Sequence, residues 1–243
     1  MAGATGVAKE KTALVEIILI SFVILLLTVG TYSRNSVWNS QIDLQLDVVK
    51  KSPHKARPYT NLAFAYNNAG IYDKALETSQ KAIQLDPKAA YAYYNMSIAY
   101  EKLGDLDKAI VMAKKALDND PELDMVHYSL GGIYLEKRRY EEAAEEFRTL
   151  LKLFPYFSNA HHLLGIVYAG QRKFDQAVAE FENELRVDRY HTLAHLNLGQ
   201  IYWYEFQNRE RALYHLRVAL MIDPLLPARN QVRALVRMIE GAS

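Results

Sequence analysis

Cysteine is absent from the 243 residues. Without a thiol there is no disulfide framework, no thiolate metal site, no cysteine nucleophile and no acylated lipoprotein cysteine. Proline and glycine are scarce, at 7 and 11, which argues against a fibrous or disordered chain. Neither sign of charge dominates: 29 Lys plus Arg against 28 Asp plus Glu leave a net charge of +1. There is thus no polycation for nucleic acid and no acidic tail. Catalytic signatures are missing as well, with no Gly-rich phosphate loop, no Gly-x-Ser-x-Gly and no His-Glu-x-x-His. The cluster Glu141, Glu142, Glu145 and Glu146 lies beside Arg138, Arg139 and Arg148, where ion pairs at i, i+3 and i+4 on a helix explain it without chemistry. The expectation is a protein that is not an enzyme, with no cofactor, no metal, no nucleic acid and no small-molecule substrate.

Long hydrophobic runs are rare too, and one stands out. Between Ala13 and Tyr32 the only ionisable group before Tyr32 is Glu16. Twenty residues at about 1.5 Å each make a helix of roughly 30 Å, the thickness of a bilayer core. Lys9 and Lys11 precede the stretch, and Tyr32 and Arg34 follow it as interfacial anchors would. A cleaved signal peptide is the rival, but its apolar region would be about 7–15 residues long and end at a small-x-small site. Residues 1–12 are therefore read as a tail and 13–32 as a single transmembrane helix contacting the lipid bilayer. The lysines ahead of it favour a cytoplasmic N-terminus and an extracytoplasmic remainder.

The rest of the chain is periodic. Tyr66, Tyr100, Tyr134, Tyr168 and Tyr202 are each 34 residues apart. Leu62, Met96, Leu130, Leu164 and Leu198 keep the interval, as do the small residues Ala63, Ser97, Gly131, Gly165 and Gly199. Ala75, Ala109, Ala143 and Ala177 follow on the same grid, then Ala212 one residue late. Pro53, Pro87, Pro121 and Pro155 close units, and Pro224 closes the last, with Arg189 where another proline is expected. Tyr59, Leu62, Ala63 and Tyr66 sit at i, i+3, i+4 and i+7, one stripe of a helix. Ala75, Ser79 and Ala82 supply the facing stripe of a second helix. Each proline removes an amide and disfavours helix just before it, so the second helix stops there. One hairpin cannot bury its stripe alone, whereas stacked hairpins share a quasi-one-dimensional core.

This pattern resembles the tetratricopeptide repeat. The resemblance covers residues 56–226 as five units (56–89, 90–123, 124–157, 158–191 and 192–226). It implies an all-α chain, a right-handed α-solenoid of five hairpins plus capping helices, preceded by the transmembrane helix. Residues 33–55 are read as linker and N-terminal capping helix. Residues 227–243 form a C-terminal capping helix with Val232, Leu235, Val236 and Ile239 on one stripe and Arg229, Arg233 and Arg237 on another. The arginine row could hold an acidic partner or anionic lipid; a solvated face is the reading taken. The inserted residue within Glu205 to Asn208 should lengthen only a turn. Trp38, Lys51-Ser52-Pro53, Lys55-Ala56-Arg57 and Asn61-Leu62 also resemble the junction of mannosyltransferase-like membrane proteins, where a last membrane helix leads into extracytoplasmic repeats.

In this family the first helices line a concave groove for a protein or extended peptide. Mapped here, the groove comprises Asn61, Phe64, Asn68, Tyr94, Asn95, Ile98, Tyr128, Leu135, His162, Ile166, Leu196, Asn197 and Trp203. Asn61, Asn95 and Asn197 resemble a broken asparagine ladder, in which an amide donates to and accepts from peptide backbone at once; capping or solvation is the rival role. Thr60, Phe64 and Tyr94 stand where carboxylate-clamping repeats resemble each other in basic and Asn residues, which excludes capture of a C-terminal carboxylate. His127, His161 and His195 keep the 34-residue interval. Stacked helices lie about 8–10 Å apart, too far to share a metal held at roughly 2 Å, so these histidines are expected to pack. His191 with His195, and His161 with His162 and a neighbour, could chelate but are set aside because carboxylates to complete a ligand set are missing nearby. The resulting expectation is a membrane-anchored repeat scaffold, an accessory subunit or assembly factor of a larger membrane complex in the bacterial inner membrane. Alternatives are an assembly chaperone like the repeat subunits of cytochrome c maturation, or a detached module of a glycosyltransferase system.

Overall fold

The computed structural model describes residues 41–241, all in helices, turns and irregular segments. The expected transmembrane segment 13–32, with its tail and the junction around Trp38, lies outside the described residues. Among the described residues no helix is long and apolar enough to cross a membrane. They hold twelve helices: α1 (Gln41–Lys51), α2 (Ala56–Asn68), α3 (Tyr72–Leu85), α4 (Ala90–Lys102), α5 (Leu106–Asn119), α6 (Asp124–Glu136), α7 (Tyr140–Leu153), α8 (Ala160–Gly170), α9 (Phe174–Val187), α10 (Thr192–Tyr204), α11 (Arg209–Ile222) and α12 (Arg229–Gly241). The chain divides into two compact units, one ending at Ala99 and one beginning at Tyr100.

In the first unit Ile42, Leu46 and Val49 of α1 pack against Leu62, Tyr66 and Ala75. The α2–α3 hairpin buries Ala63, Ala75 and Ala82 completely. In the second unit, α6–α7, α8–α9 and α10–α11 are successive hairpins, with α12 against α11. The small residue of each first helix is matched to the large residue facing it. A Cβ added to Gly131 would stand 2.8 Å from the Phe147 ring, one on Gly165 2.6 Å from the Phe181 ring, and one on Gly199 2.6 Å from Leu216 Cγ. Phe147, Phe181 and Leu216 are at most 1% exposed, so glycine is what lets these hairpins close over an aromatic or branched side chain. In the first unit the same two slots hold Ala63 and the fully buried Ser79.

Turns follow the grid. Gly70 and Gly104 adopt φ of +73° and +82°, and Arg138 and Arg172 fill the same slot at +56° and +61°. The left-handed residue that ends a first helix is thus a property of the turn geometry, and glycine relieves it in only two units. The inserted residue lengthens the α10–α11 turn and leaves both helices intact. At the unit boundaries aspartate, rather than proline, is what Arg189 retains: Asp86, Asp120, Asp188 and Asp223 each accept an N–H two residues on, from Lys88, Glu122, Tyr190 and Leu225, at 2.8–3.2 Å. This side-chain turn stops the helix whether or not proline follows.

Candidate functional site

The first helices carry the residues expected to bind a partner, and the structure sorts them. In the first unit Asn61, Phe64 and Asn68 are exposed, Tyr94 and Ile98 half-buried, and Asn95 is buried. The Asn95 amide donates to the Thr60 carbonyl at 2.9 Å, and the Asn67 amide donates to the Asn95 carbonyl at 2.9 Å. Asn95 is therefore a clamp between α2 and α4 and does not face an open groove, because its one useful donor is spent on the neighbouring helix.

In the second unit Tyr128, Leu135, Ile166, Leu196, Asn197 and Trp203 are half-buried on α6, α8 and α10, while Met125 and Leu193 are 46% and 48% exposed. That leaves an apolar, partly open surface along three successive first helices. His162 departs from the expectation. It is 4% exposed and its ring lies under the surface, tilted against Phe181 at 5.6 Å and against His191 at 4.7 Å. Asn197 is not free for a peptide either, since its Nδ2 donates to His162 Nε2 at 3.0 Å.

A connected set of polar side chains surrounds His162. Its Nδ1–H donates to Asn159 Oδ1 at 2.9 Å, and His191 Nε2–H donates to the same oxygen at 3.1 Å. His191 Nδ1 accepts the Ala194 N–H that opens α10, and Asn159 Nδ2 donates to the Tyr128 hydroxyl at 3.1 Å. Asn159 holds this position in the left-handed region, φ +67°. Beneath lies Glu184, fully buried, whose two oxygens accept the N–H groups of Asn159 and His162, each at 3.1 Å. A carboxylate at the start of α8 meets both unpaired amides and the positive end of the helix dipole. Every donor faces an acceptor only when both imidazoles are neutral. Burial, with the neighbouring His191, holds His162 down at about 4.

The 34-residue histidines form a second series. His127 Nδ1 meets Glu146 Oε2 at 2.7 Å, and His161 Nδ1 meets Glu180 Oε2 at 2.7 Å. His127 Nε2 also reaches the Pro121 carbonyl at 3.0 Å, so both ring nitrogens face acceptors. Burial opposes charge on His127, yet the bonds to Glu146 and Pro121 outweigh it and raise its pKa. In the last hairpin the glutamate slot holds His215, and His195 Nδ1 meets His215 Nδ1 at 2.9 Å. One must donate and one accept, so one of the two Nδ1 atoms carries no proton. His215 is held down at about 4 by burial, His195 and Arg211, and burial lowers His195 too. The packing role expected of these residues holds. The expected lack of carboxylates near the histidines is corrected: Glu146 and Glu180, each 19 residues away in sequence, pair with His127 and His161, and Glu184 lies 3.9 Å from His191 Nε2. Among the described residues no group of three or more His, Asp or Glu could hold a metal ion.

Hairpins stacked through small-residue contacts, with an apolar first-helix surface braced from below, define a helical-repeat interaction scaffold. A tetratricopeptide repeat profile matches residues 54–122, and a second one matches 94–156 and 162–227, over half of the chain. The chain belongs to the tetratricopeptide repeat family. That family indicates no catalytic activity. No curated protein is similar enough in sequence to count as a relative. Among solved structures, the chain is similar to YrrB, a tetratricopeptide repeat protein with an unusual peptide-binding site, at 26% identity and TM-score 0.67, covering 78% of this chain and 97% of that one. MamA from Desulfovibrio magneticus RS-1 matches at 21% identity and TM-score 0.64 over 71% and 97%. PilF from Pseudomonas aeruginosa matches at 23% identity and TM-score 0.61 over 76% and 88%. The last two share the fold.

Proposed function

We propose that this chain is a membrane-anchored scaffold whose first-helix surface in the second unit, on α6, α8 and α10, docks an extended peptide segment of another protein, making it an accessory subunit or assembly factor of a membrane complex. Met125 and Leu193 carry the reading: nearly half exposed, they open an apolar surface that the packing of the hairpins does not need. Large apolar side chains left in water beside half-buried Tyr128, Ile166 and Trp203 are what a peptide's apolar side chains would cover. The peptide-binding site described for YrrB is in keeping with that role. The buried network around His162 supports it by fixing α8 and α10 before a ligand arrives, which lowers the ordering cost of binding. Residues 13–32 would hold the repeats at the membrane, on the extracytoplasmic side.

The test is affinity purification of the full-length protein from membranes in mild detergent, with mass spectrometry of what stays bound. Met125→Asp with Leu193→Asp is expected to lose the bound partner while the thermal midpoint stays within about 2 °C of the wild type, since neither side chain is in the core. Unchanged partners in that double variant would refute the surface assignment.

A further inference from the structure

A second apolar surface lies on the opposite kind of helix. On α11, Tyr214, Val218 and Met221 follow at i, i+4 and i+7, and Leu225 continues the stripe just beyond the helix; they line or flank a shallow groove with Glu210, Leu213 and Arg217. Tyr214 is 60% exposed, Met221 74% and Leu225 89%. The repeat does not ask for this. The slot of Met221 holds Gln84, Asp118, Lys152 and Arg186 in the four earlier second helices, and all four are exposed. The charge changes in the same place. Residues 209–241 contain six arginines (209, 211, 217, 229, 233 and 237) and three acids (Glu210, Asp223 and Glu240), a net +3, whereas the whole chain is +1 and the remainder therefore −2. Arg217 reaches across from α11 to Glu240 of α12 at 2.7 Å, which ties the two helices together. Arg233 and Arg237 are exposed.

We infer that this α11–α12 surface rests on an anionic lipid bilayer, with Tyr214, Met221 and Leu225 entering the headgroup boundary and Arg217, Arg233 and Arg237 meeting lipid phosphates. Flexible apolar side chains flanked by arginine are the combination an interface rewards: apolar area enters the acyl edge while guanidinium groups stay with the anions. A protein-filled pocket would ask for depth; here the groove is shallow, and around it the arginines outnumber the acids Glu210 and Glu240. The inference rests on the membrane-anchored reading, because a chain tied to a bilayer meets that surface at high effective concentration.

The absence of cysteine allows a single Met221→Cys carrying an environment-sensitive dye. The full-length protein is reconstituted in phosphatidylcholine vesicles with and without phosphatidylglycerol, and emission and iodide quenching are read. The expected result is a blue shift and protection from iodide only with phosphatidylglycerol, reversed by high salt. Arg233→Gln with Arg237→Gln, checked for unchanged helicity, should weaken the surface-bound state about thirtyfold at about 1 kcal/mol per arginine. Equal spectra in the two vesicle types would overturn the inference, as would protection in lipid-free detergent, which marks a protein contact instead. Alkaline extraction of the same vesicles reads the anchor separately: a chain that washes out yet still shows the anionic-lipid shift refutes the anchor and leaves this surface standing.

Discussion

A histidine on the 34-residue grid takes its meaning from the residue facing it. Glu146 opposite His127 helps raise the pKa of that ring, whereas His195 opposite His215 adds to the burial that lowers the pKa of His215. The sign of the pH dependence follows. His162 and His215, held at about 4 when folded against about 6.5 unfolded, leave the unfolded chain binding more protons between those values. Their contribution is complete above pH 6.5 and is lost as pH falls toward 4, on the order of 3 kcal/mol for His162 if fully realised. His127, raised when folded, acts the other way: its contribution is complete below 6.5 and lost as pH rises through its folded value. With His195 lowered as well, three losses against one gain predict net weakening on acidification from pH 7 to 5. His215→Glu restores the carboxylate of the two earlier hairpins and should shrink that loss, read as the shift of the urea midpoint between the two pH values; an unaltered shift would contradict the pairing. Glu184→Gln tests the buried cap. It turns an NH2 toward one of two backbone N–H donors, and a cost of about 1–3 kcal/mol in urea unfolding is expected. The histidine column was legible in the sequence, and so was a glutamate column at Glu146 and Glu180. Joining them needed the hairpin, because 19 residues separate partners that touch only after the chain turns back.

Within an element, a small residue in one column answers a large residue facing it in three of the hairpins. Glycine at 131, 165 and 199 answers Phe147, Phe181 and Leu216, so a small residue was readable as close approach, while the reason for glycine over alanine was not. Gly165→Ala would gain helix propensity of up to about 1 kcal/mol, but its Cβ would stand 2.6 Å from a ring buried to 1% exposure. Overpacking of that kind costs about 1–3 kcal/mol and should win. Calorimetry of Gly165→Ala alone and with Phe181→Leu checks it: the single change is expected to lower the midpoint and the second to restore part of the loss. Boundaries followed the same logic. Proline announced them in the sequence, but the recurring aspartate, whose carboxylate bonds two residues on, does the stopping at Arg189, where proline is missing.

For the whole molecule the consequential division is between surfaces that packing consumes and surfaces it leaves. Asn95 and His162 were assigned to a groove by their place in the repeat, and inter-helix hydrogen bonds claim them; Phe64, which was singled out, and Met125 and Leu193, which were not, stay nearly half exposed. The anchor belongs to this scale as well. Full-length protein is expected to resist alkaline carbonate extraction from membranes, and a variant lacking residues 1–34 should be released; extraction of both would refute the span. The sequence by itself determined the hairpin count, the unit length and the apolar run at 13–32, because periodicity and run length are properties of the chain written in one dimension. Only the tertiary structure decided which polar side chains are spent on neighbouring helices and which apolar ones stay in water, because burial depends on what the next hairpin brings across, and that partner sits some twenty to thirty-five residues away.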